Sequence, residues 1–261
     1  MSLQVWLPLN GDLHNQGLSN VTLTASGSPT IDTAGKIGSC YSFDSNSYFS
    51  STESTFLSNM TECSLSCWVK DIYTGSSWMR IFGIGSHDRV HFDTDTTGKV
   101  RFFVSKNGTS SSYWSCISKT AINDSTWHHL CGTFNSTQCK IYIDGICETT
   151  IATNALPSVT GGKLYLGHIY NGVKFNGSLN DVRIYDHCLS SKEVEEISKG
   201  LVLHYKLDNY YLDNYFINPN LLLDTNVNGL TKVSASYNRY YESNGSGSYT
   251  CTWKAIADPP I

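Results

Sequence analysis

Residues 127–145 have the sequence WHHLCGTFNSTQCKIYIDG, which predicts two β-strands joined by a short polar turn. Alternation along residues 127–134 places Leu130 and Phe134 on one face of the first strand and His129, Cys131 and Thr133 on the other. The second strand ends at Asp144-Gly145, a pair that favours a type I′ turn because both central residues must accept positive φ. The β-branched residues that follow predict a third strand running back alongside the second.

Other segments extend this strand pattern in both directions along the chain. They are YSFD at residues 41–44, CSLSCWVK at residues 63–70 and LYLGHIYNGVKFNGSLNDVRIYDHCLSSKEVEEI at residues 164–197. The end of the last segment predicts one helix, over residues 190–199. Its N-cap is Ser190 or Ser191, Glu193 lies near N3, and Gly200 occupies the C-cap position.

Together these motifs resemble the laminin-G-like, concanavalin A-like jelly-roll domains of the lectin/glucanase superfamily, over roughly residues 1–200. The resemblance implies an all-β fold, an antiparallel two-sheet jelly-roll sandwich with one short C-terminal helix. It leaves function open, because this fold hosts lectins, glycosidases, adhesion modules and structural spacers. The junction GLVLHYKLD at residues 200–208 looks like that of modules in phage tail-fibre, receptor-binding and capsid-surface proteins.

The composition excludes several classes of protein. Charged residues make up 15% and aromatic residues 12%, which is typical of a turn-rich β protein. The net charge of −4, with scattered Lys and Arg, argues against nucleic-acid binding. No apolar run approaches the ~20 residues of a membrane span, and the first residues show no signal-peptide pattern. The nine cysteines favour reduced, buried thiols, with a disulfide framework as the alternative.

The sequence predicts three segments. Residues 1–200 form the jelly-roll domain, and residues 201–218 form a linker or strand whose LVLHYKLDN echoes the N-terminal LQVWLPLN. Residues 219–261 are too few to close a second sandwich. They are therefore interpreted as an incomplete, partial β module, or as an arm that pairs with another chain.

Catalysis is not predicted. A glycosidase of this fold needs two carboxylates across a sugar site, and no strand carries the E-x-D-x-E run of the laminarinase-like enzymes. The G-x-S-x-G nucleophile motif is also missing from the sequence. His128 and His129 are adjacent on a strand, so their side chains point to opposite faces and cannot act as a pair.

The sequence predicts no cofactor as the main expectation, and calcium is the one alternative. Asp93 and Asp95 alternate before Gly98 as at the start of a calcium loop, without the third acidic position and the distal Glu. The alternative is an ordinary Asp/Thr/Gly hairpin turn. The family resemblance offers Asp12 or Asp44 as other rim ligands.

Aromatic residues in or beside Gly/Ser-rich loops suggest a binding site. Sugar rings have apolar faces that pack on exposed aromatic planes, while polar side chains contact the hydroxyls. The candidate aromatic residues are Trp78, Tyr113, Trp114 and Tyr170, and the candidate polar residues are Asn171, Arg80 and Arg89. The alternative is that Trp78 and Trp114 fold back onto the core.

The sequence therefore predicts a non-catalytic glycan-binding adhesion module. A signal-less, thiol-bearing adhesion domain fits a bacteriophage virion, exported by lysis. The expected partners are a cell-surface glycan and other virion subunits, or a homo-oligomer formed through residues 201–261, with no nucleic acid and no membrane insertion. The rival is a structural virion component that assembles through the same residues, and a third option is a diverged glycosidase.

Overall fold

A computed structural model describes residues 2–52, 61–72, 78–85, 89–106, 112–154, 162–169, 173–200, 236–239 and 249–252. The chain divides into two compact units, Met1–His204 and Tyr205–Ile261. The described elements of the first unit are β1 (Leu3–Leu7), β2 (Leu23–Ser26), β3 (Thr30–Asp32), β4 (Cys40–Asp44), β5 (Tyr48–Ser51), β6 (Cys63–Asp71), β7 (Met79–Ile84), β8 (Val90–Thr94), β9 (Lys99–Ser105), β10 (Tyr113–Ala121), β11 (Trp127–Phe134), β12 (Gln138–Ile143), β13 (Ile146–Ala152), β14 (Leu164–Leu166), β15 (His168–Ile169), β16 (Val173–Lys174), β17 (Asn176–Tyr185) and α1 (Ser191–Ser198). Those of the second are β18 (Ser236–Arg239) and β19 (Tyr249–Thr252), which pair antiparallel.

Two antiparallel sheets form the first unit. The seven-stranded sheet has the order β10-β9-β8-β7-β14-β5-β2. The eight-stranded sheet has the order β13-β12-β11-β6-β17-β4-β3, and β1 pairs with the second half of β17. One hydrophobic core contains inward side chains of both sheets. The predicted all-β, two-sheet jelly-roll sandwich with one short helix is therefore confirmed.

The central hairpin forms as the sequence predicts. Leu130 and Phe134 lie in the main core, whereas Cys131 lies on the opposite face of β11. The turn residues Asp144 and Gly145 have φ of 51° and 83°. This turn fixes the pairing of β12 with β13.

The outer face of the eight-stranded sheet is covered. Helix α1 packs on it, burying Cys131, Tyr142 and Tyr185 beneath Val194. The helix begins with the predicted capping box, in which Ser190 and Glu193 each accept a hydrogen bond from the other's backbone N–H. Residues 33–38 cover another part of this face, where the backbone N–H of Ile37 donates to Asn180 Oδ1 at 2.6 Å.

Eight cysteines of the first unit are free thiols. Six of them are buried, namely Cys40, Cys63, Cys67, Cys116, Cys131 and Cys139. Burial raises the pKa of the Cys63 thiol to about 12, so it stays protonated at neutral pH. Among the described residues, no helix has the length and hydropathy needed to traverse a lipid bilayer.

Candidate functional site

The outer face of the seven-stranded sheet carries polar and aromatic side chains. Strand β8 alternates strictly, with Val90 and Phe92 in the core and His91 and Asp93 on the outer face. Strand β9 alternates in the same way, because Val100, Phe102 and Val104 enter the core. The register pairs Asp93 with Arg101 and His91 with Phe103, so outward side chains meet across the two strands.

Aromatic rings and an arginine form a continuous row on this face. The His91 and Phe103 rings stack at 4.6 Å, and the Phe103 and Tyr113 ring centroids are 4.7 Å apart. Arg101 Cζ lies 4.2 Å from the Trp78 ring centroid and 5.4 Å from that of Phe103. Trp78 is 37% exposed and Tyr113 is 44% exposed, whereas Phe103 is buried. The row therefore presents an aromatic surface at each end.

A buried carboxylate holds the arginines of this face. Asp93 is fully buried, and its two oxygens accept hydrogen bonds from Arg101 Nε at 2.9 Å and Arg101 Nη2 at 2.6 Å. Arg80 Nη1 lies 3.2 Å from Asp93 Oδ2. Two-point pairing of this kind fixes the plane of a guanidinium as well as its position. We call Trp78, Arg80, His91, Asp93, Arg101, Phe103 and Tyr113 the aromatic–arginine cluster.

His91 is neutral within the cluster. Its burial, together with the positive charges of Arg80 and Arg101, holds the pKa of the imidazole well below its ordinary value. Arg80 Nη1 donates a hydrogen bond to His91 Nε2. Gly83 pairs with His91 on β7, where an added Cβ would lie 2.3 Å from His91 Cβ. The glycine therefore gives His91 the space to lie flat against Phe103.

The structure brings together part of the predicted site. Trp78, Tyr113 and Arg80 lie on one face, as a shared site requires. The prediction that Trp114 contributes to the binding surface is wrong, and the alternative that it folds onto the core holds, because Trp114 lies within β10 with its ring turned into the core. It is 6% exposed and packs on Phe134 at 5.3 Å between ring centroids. It therefore belongs to the core and not to the surface.

The other predicted ligand residues lie elsewhere. The Arg89 side chain passes over Gly85, and the Arg89 carbonyl accepts a hydrogen bond from the N–H of Ser105 at 2.7 Å. It lies at the opposite end of β8 from Asp93. Tyr170 and Asn171 lie outside the described residues.

The proposed calcium ligands are used by local structure. Asp93 is an ion-pair partner of two arginines, and calcium binding at Asp93 or Asp95 stays a prediction. Asp95 Oδ1 accepts from the N–H groups of Thr97 and Lys99 at 2.8 and 3.0 Å, as in an ordinary hairpin turn. In the described part of the chain, no group of three His, Cys, Asp or Glu residues is arranged to hold a metal.

The alternative rim ligands also make local contacts. Asp12 accepts from the N–H of His14 at 2.9 Å, and Asp44 accepts from the N–H of Asn46 at 2.9 Å. Hydrogen bonds from Asn46 and from the hydroxyl of Ser47 lower the pKa of the Asp44 carboxyl. Calcium binding at either residue stays a prediction.

Sequence reasoning missed Arg101, Phe103 and His91. The sequence indicates that Arg101 and Phe103 share the outer face, because they alternate with the apolar core positions of KVRFFVS at residues 99–105. Counting outward from the turn at Gly98 pairs Arg101 with Asp93, an opposite-charge cross-strand pair. The charge pairing across this hairpin was therefore readable from residues 93–101.

A second charged cluster lies on the eight-stranded sheet, but it is enclosed. Arg183 Nη2 pairs with Asp181 Oδ2 at 2.8 Å, and Trp6 Nε1 donates to Asp181 Oδ1 at 2.7 Å. Asp181 has φ of 51°, at the point where β17 exchanges β4 for β1 as its partner. Both charged residues are buried, so this pair stabilises a break in strand pairing.

The aromatic–arginine cluster has the chemistry of a binding surface. It combines exposed aromatic planes with oriented N–H donors. Hydrolysis of a sugar requires a second carboxyl group several ångströms from the first. Among the described residues of the cluster the carboxylate is that of Asp93, which is buried against arginine. The cluster is therefore suited to binding rather than to acid–base chemistry.

A family model for the concanavalin A-like lectin/glucanases superfamily matches residues 43–195. Among curated proteins, none matches the chain in sequence.

Solved structures with low sequence identity share the fold. Domain 4 of the extracellular arabinanase AbnA from Geobacillus stearothermophilus, solved with arabinotriose, has a TM-score of 0.62 at 20% identity, covering 76% of this chain and 98% of that domain. The botulinum neurotoxin DC binding domain, solved with rat synaptotagmin II, has a TM-score of 0.63 at 14% identity, covering 77% of this chain and 52% of that one. The binding domain of Paraclostridial Mosquitocidal Protein 1 has a TM-score of 0.65 at 15% identity, covering 76% and 52%. The chain thus spans about half the length of the toxin domains that it matches.

Proposed function

Since the chain belongs to the concanavalin A-like lectin/glucanases superfamily, we propose that its first unit is a non-catalytic module that binds glycan on the outer face of the seven-stranded sheet. The observation that carries the proposal is the aromatic–arginine cluster, in which exposed Trp78 and Tyr113 flank an oriented guanidinium. Such a surface matches a sugar, whose C–H faces pack on aromatic rings while its hydroxyls accept hydrogen bonds.

The choice of face rests on what covers each sheet. Helix α1 and residues 33–38 pack on the outer face of the eight-stranded sheet. On the seven-stranded sheet, Ile117 lies beside Arg101 across β9 and β10 and is 44% exposed, like Trp78 and Tyr113. Exposed aromatic and apolar groups around a polar centre are typical of a ligand site.

The structural neighbours support this proposal without deciding it. Domain 4 of the arabinanase was solved in complex with arabinotriose, a short oligosaccharide. For another neighbour, botulinum neurotoxin type C, cell entry depends on interaction with two ganglioside molecules. Both ligands contain carbohydrate, and we extend that ligand class to this chain.

A glycan array followed by titration calorimetry tests the proposal. We expect Trp78→Ala and Tyr113→Ala each to weaken binding about fivefold or more, because a packed aromatic side chain contributes over ~1 kcal/mol in a binding centre. Ile146→Ala is the matched control, because Ile146 is an exposed apolar residue on the eight-stranded sheet. Binding that both aromatic variants retain in full would place the ligand elsewhere, and no binding to any array glycan would refute the proposal.

We further propose that the module acts in attachment at a virion surface. The free thiols of eight cysteines in the first unit support it, since they fit a protein made in a reducing compartment and exported without disulfide formation. Mass spectrometry of purified phage particles, after alkylation of thiols, tests this setting. Absence of the protein from particles would refute it, as would disulfide-linked cysteines.

The rival proposal is a structural virion component that assembles through residues 201–261. It is favoured by the second unit, whose described strands β18 and β19 pair antiparallel with each other. A two-stranded hairpin is marginal alone in water and gains stability from further strands. Light scattering of the full chain and of a chain ending at residue 204 distinguishes the roles. An unchanged oligomeric state would exclude an assembly function.

A further inference from the structure

Arg101 is fixed in position before any ligand binds. Its Nε and Nη2 groups donate to Asp93, and its guanidinium lies against the rings of Trp78 and Phe103. An arginine on a surface ordinarily loses side-chain entropy when it binds a ligand. Contacts with a buried carboxylate and two rings have already restricted Arg101, so that loss is smaller here.

The pairing with Asp93 leaves donors unused. Among the described residues, Arg101 Nη1 donates to no group, and the Arg101 side chain keeps 19% of its surface exposed. The guanidinium thus satisfies Asp93 with one edge and keeps N–H groups on the other. Ile117 pairs with Arg101 on β10 and, like Trp78, is exposed beside it. The unused donors therefore lie among exposed apolar side chains.

Charge on this face is positive among the described residues. Among the described residues, the guanidinium groups of Arg80 and Arg101 both lie beside the carboxylate of Asp93, and His91 adds no charge because burial and the two arginines hold its pKa well below its ordinary value. A hydroxyl group can accept a hydrogen bond but cannot balance a positive charge. A carboxylate or sulfate can do both, and it matches the planar fork of arginine.

We infer that the aromatic–arginine cluster selects saccharides that carry an anionic oxygen group, a carboxylate or a sulfate, with Arg101 as the residue that recognises the anion. The inference rests on the proposed function and narrows its ligand class. The anion accepts hydrogen bonds from Arg101 Nη1 and from the remaining Nη2 proton. The sugar ring packs beside it on Trp78 or Tyr113.

Calorimetry of the full chain with two matched pairs of probes tests the inference. The carboxylate pair is an oligogalacturonate and its methyl ester. The sulfate pair is a κ-carrageenan oligosaccharide and the same oligosaccharide after desulfation. We expect at least one anionic probe to bind about tenfold or more tightly than its neutral partner, the affinity that a charged hydrogen bond typically contributes. The pair that shows the preference identifies the anion.

Variants assign the preference to Arg101. Arg101→Gln should bring the two members of the preferred pair to within about twofold of each other. Arg101→Lys keeps a charge for Asp93 but loses the planar fork, so it should keep only part of the preference. Lys140→Gln removes a like charge from the outer face of the eight-stranded sheet and should change nothing. Thermal melting confirms that each variant is folded.

The outcomes separate this inference from the proposed function. Equal binding of both members in both pairs overturns the inference and leaves glycan binding intact. A preference that persists in folded Arg101→Gln shows that the anion is recognised elsewhere, which also overturns it. Binding of none of the four probes counts against the inference, while the array with neutral glycans still decides the proposed function separately.

Discussion

Gly132 packs against Phe102 of the opposite sheet, and its substitution tests the packing that positions the site. A Cβ on Gly132 of β11 would lie 2.4 Å from Phe102 Cδ2 and Cγ and 2.6 Å from Phe102 Cε2. These atoms belong to β9, in the opposite sheet. Ordinary carbon contacts are ~3.5–4.0 Å, so the overlap is about 1 Å. The φ of Gly132 is not positive, and alanine would cost nothing in the backbone itself.

We expect Gly132→Ala to lower the free energy of unfolding by about 1–3 kcal/mol, the range for overpacking a filled core. For a domain of this size, that is a fall in melting temperature of roughly 2–12 °C. Urea unfolding followed by tryptophan fluorescence measures it, because buried Trp114 reports on the core. Arg101 and Phe103 flank Phe102, so the same displacement should weaken glycan binding.

A double-mutant cycle identifies the cause. Phe102→Ala removes the colliding atoms Cγ, Cδ2 and Cε2, so the double variant should lose at least ~1 kcal/mol less than the sum of the two single losses. Gly38→Ala is the control, because Gly38 has φ of 67° and its Cβ would meet only Asn10 Cβ at 3.7 Å. That substitution should cost ~1 kcal/mol from the backbone alone and show no coupling to Phe102. Additive losses for Gly132→Ala and Phe102→Ala would refute the packing argument.

Further predictions concern pH dependence and the helix. Burial lowers the pKa of His129 to about 4, so the free energy of unfolding should fall by up to ~3 kcal/mol as the pH drops from 6.5 to 4. Urea titrations of His129→Gln should show that this part of the pH dependence is lost. The neighbouring His128 should give a pH dependence of stability with the opposite sign, because hydrogen bonds to Asp144 and Asp124 raise its pKa against partial burial. The stabilisation from protonated His128 is therefore present below pH 6.5 and lost as the pH rises. His128→Gln should lower the free energy of unfolding more at pH 6 than at pH 8.5. Burial opposes ionisation of Asp186, but hydrogen bonds from Ser2 and its neighbours lower its pKa to about 2, so Asp186→Asn should flatten the stability loss between pH 4 and 2. Ser190→Ala removes the N-cap of α1 and should cost ~1 kcal/mol, and an unchanged melting temperature would contradict it.

The fold was predictable because its signals are local and agree with one another. The Asp144-Gly145 turn, which the sequence predicts, fixes the register of β12 against β13, in which Tyr142 faces Cys147. The capping box at Ser190 likewise requires no tertiary information. Such short-range chemistry determines where strands and helices begin and end.

Trp114 shows where local signals fail. The sequence YWSCI at residues 113–117 has apolar residues at adjacent positions, so alternation alone does not say which face enters the core. The serines before Tyr113 favoured a loop. In the structure, Trp114 pairs with Val104 of β9, and because Val104 is buried in the core, the Trp114 side chain enters the core as well. The information lies in the neighbouring strand and not in the segment itself.

The location of the site follows from an asymmetry between the two sheets that only the tertiary structure contains. An outward aromatic ring lies beside a basic side chain at both sheets, Trp68 with Lys36 and Trp78 with Arg101. On the eight-stranded sheet, Lys36 lies over the Trp68 ring at 4.5 Å, and Trp68 is buried. On the seven-stranded sheet, Trp78 and Tyr113 keep their exposure beside Arg101. The same chemistry is therefore internal packing on one sheet and an accessible surface on the other.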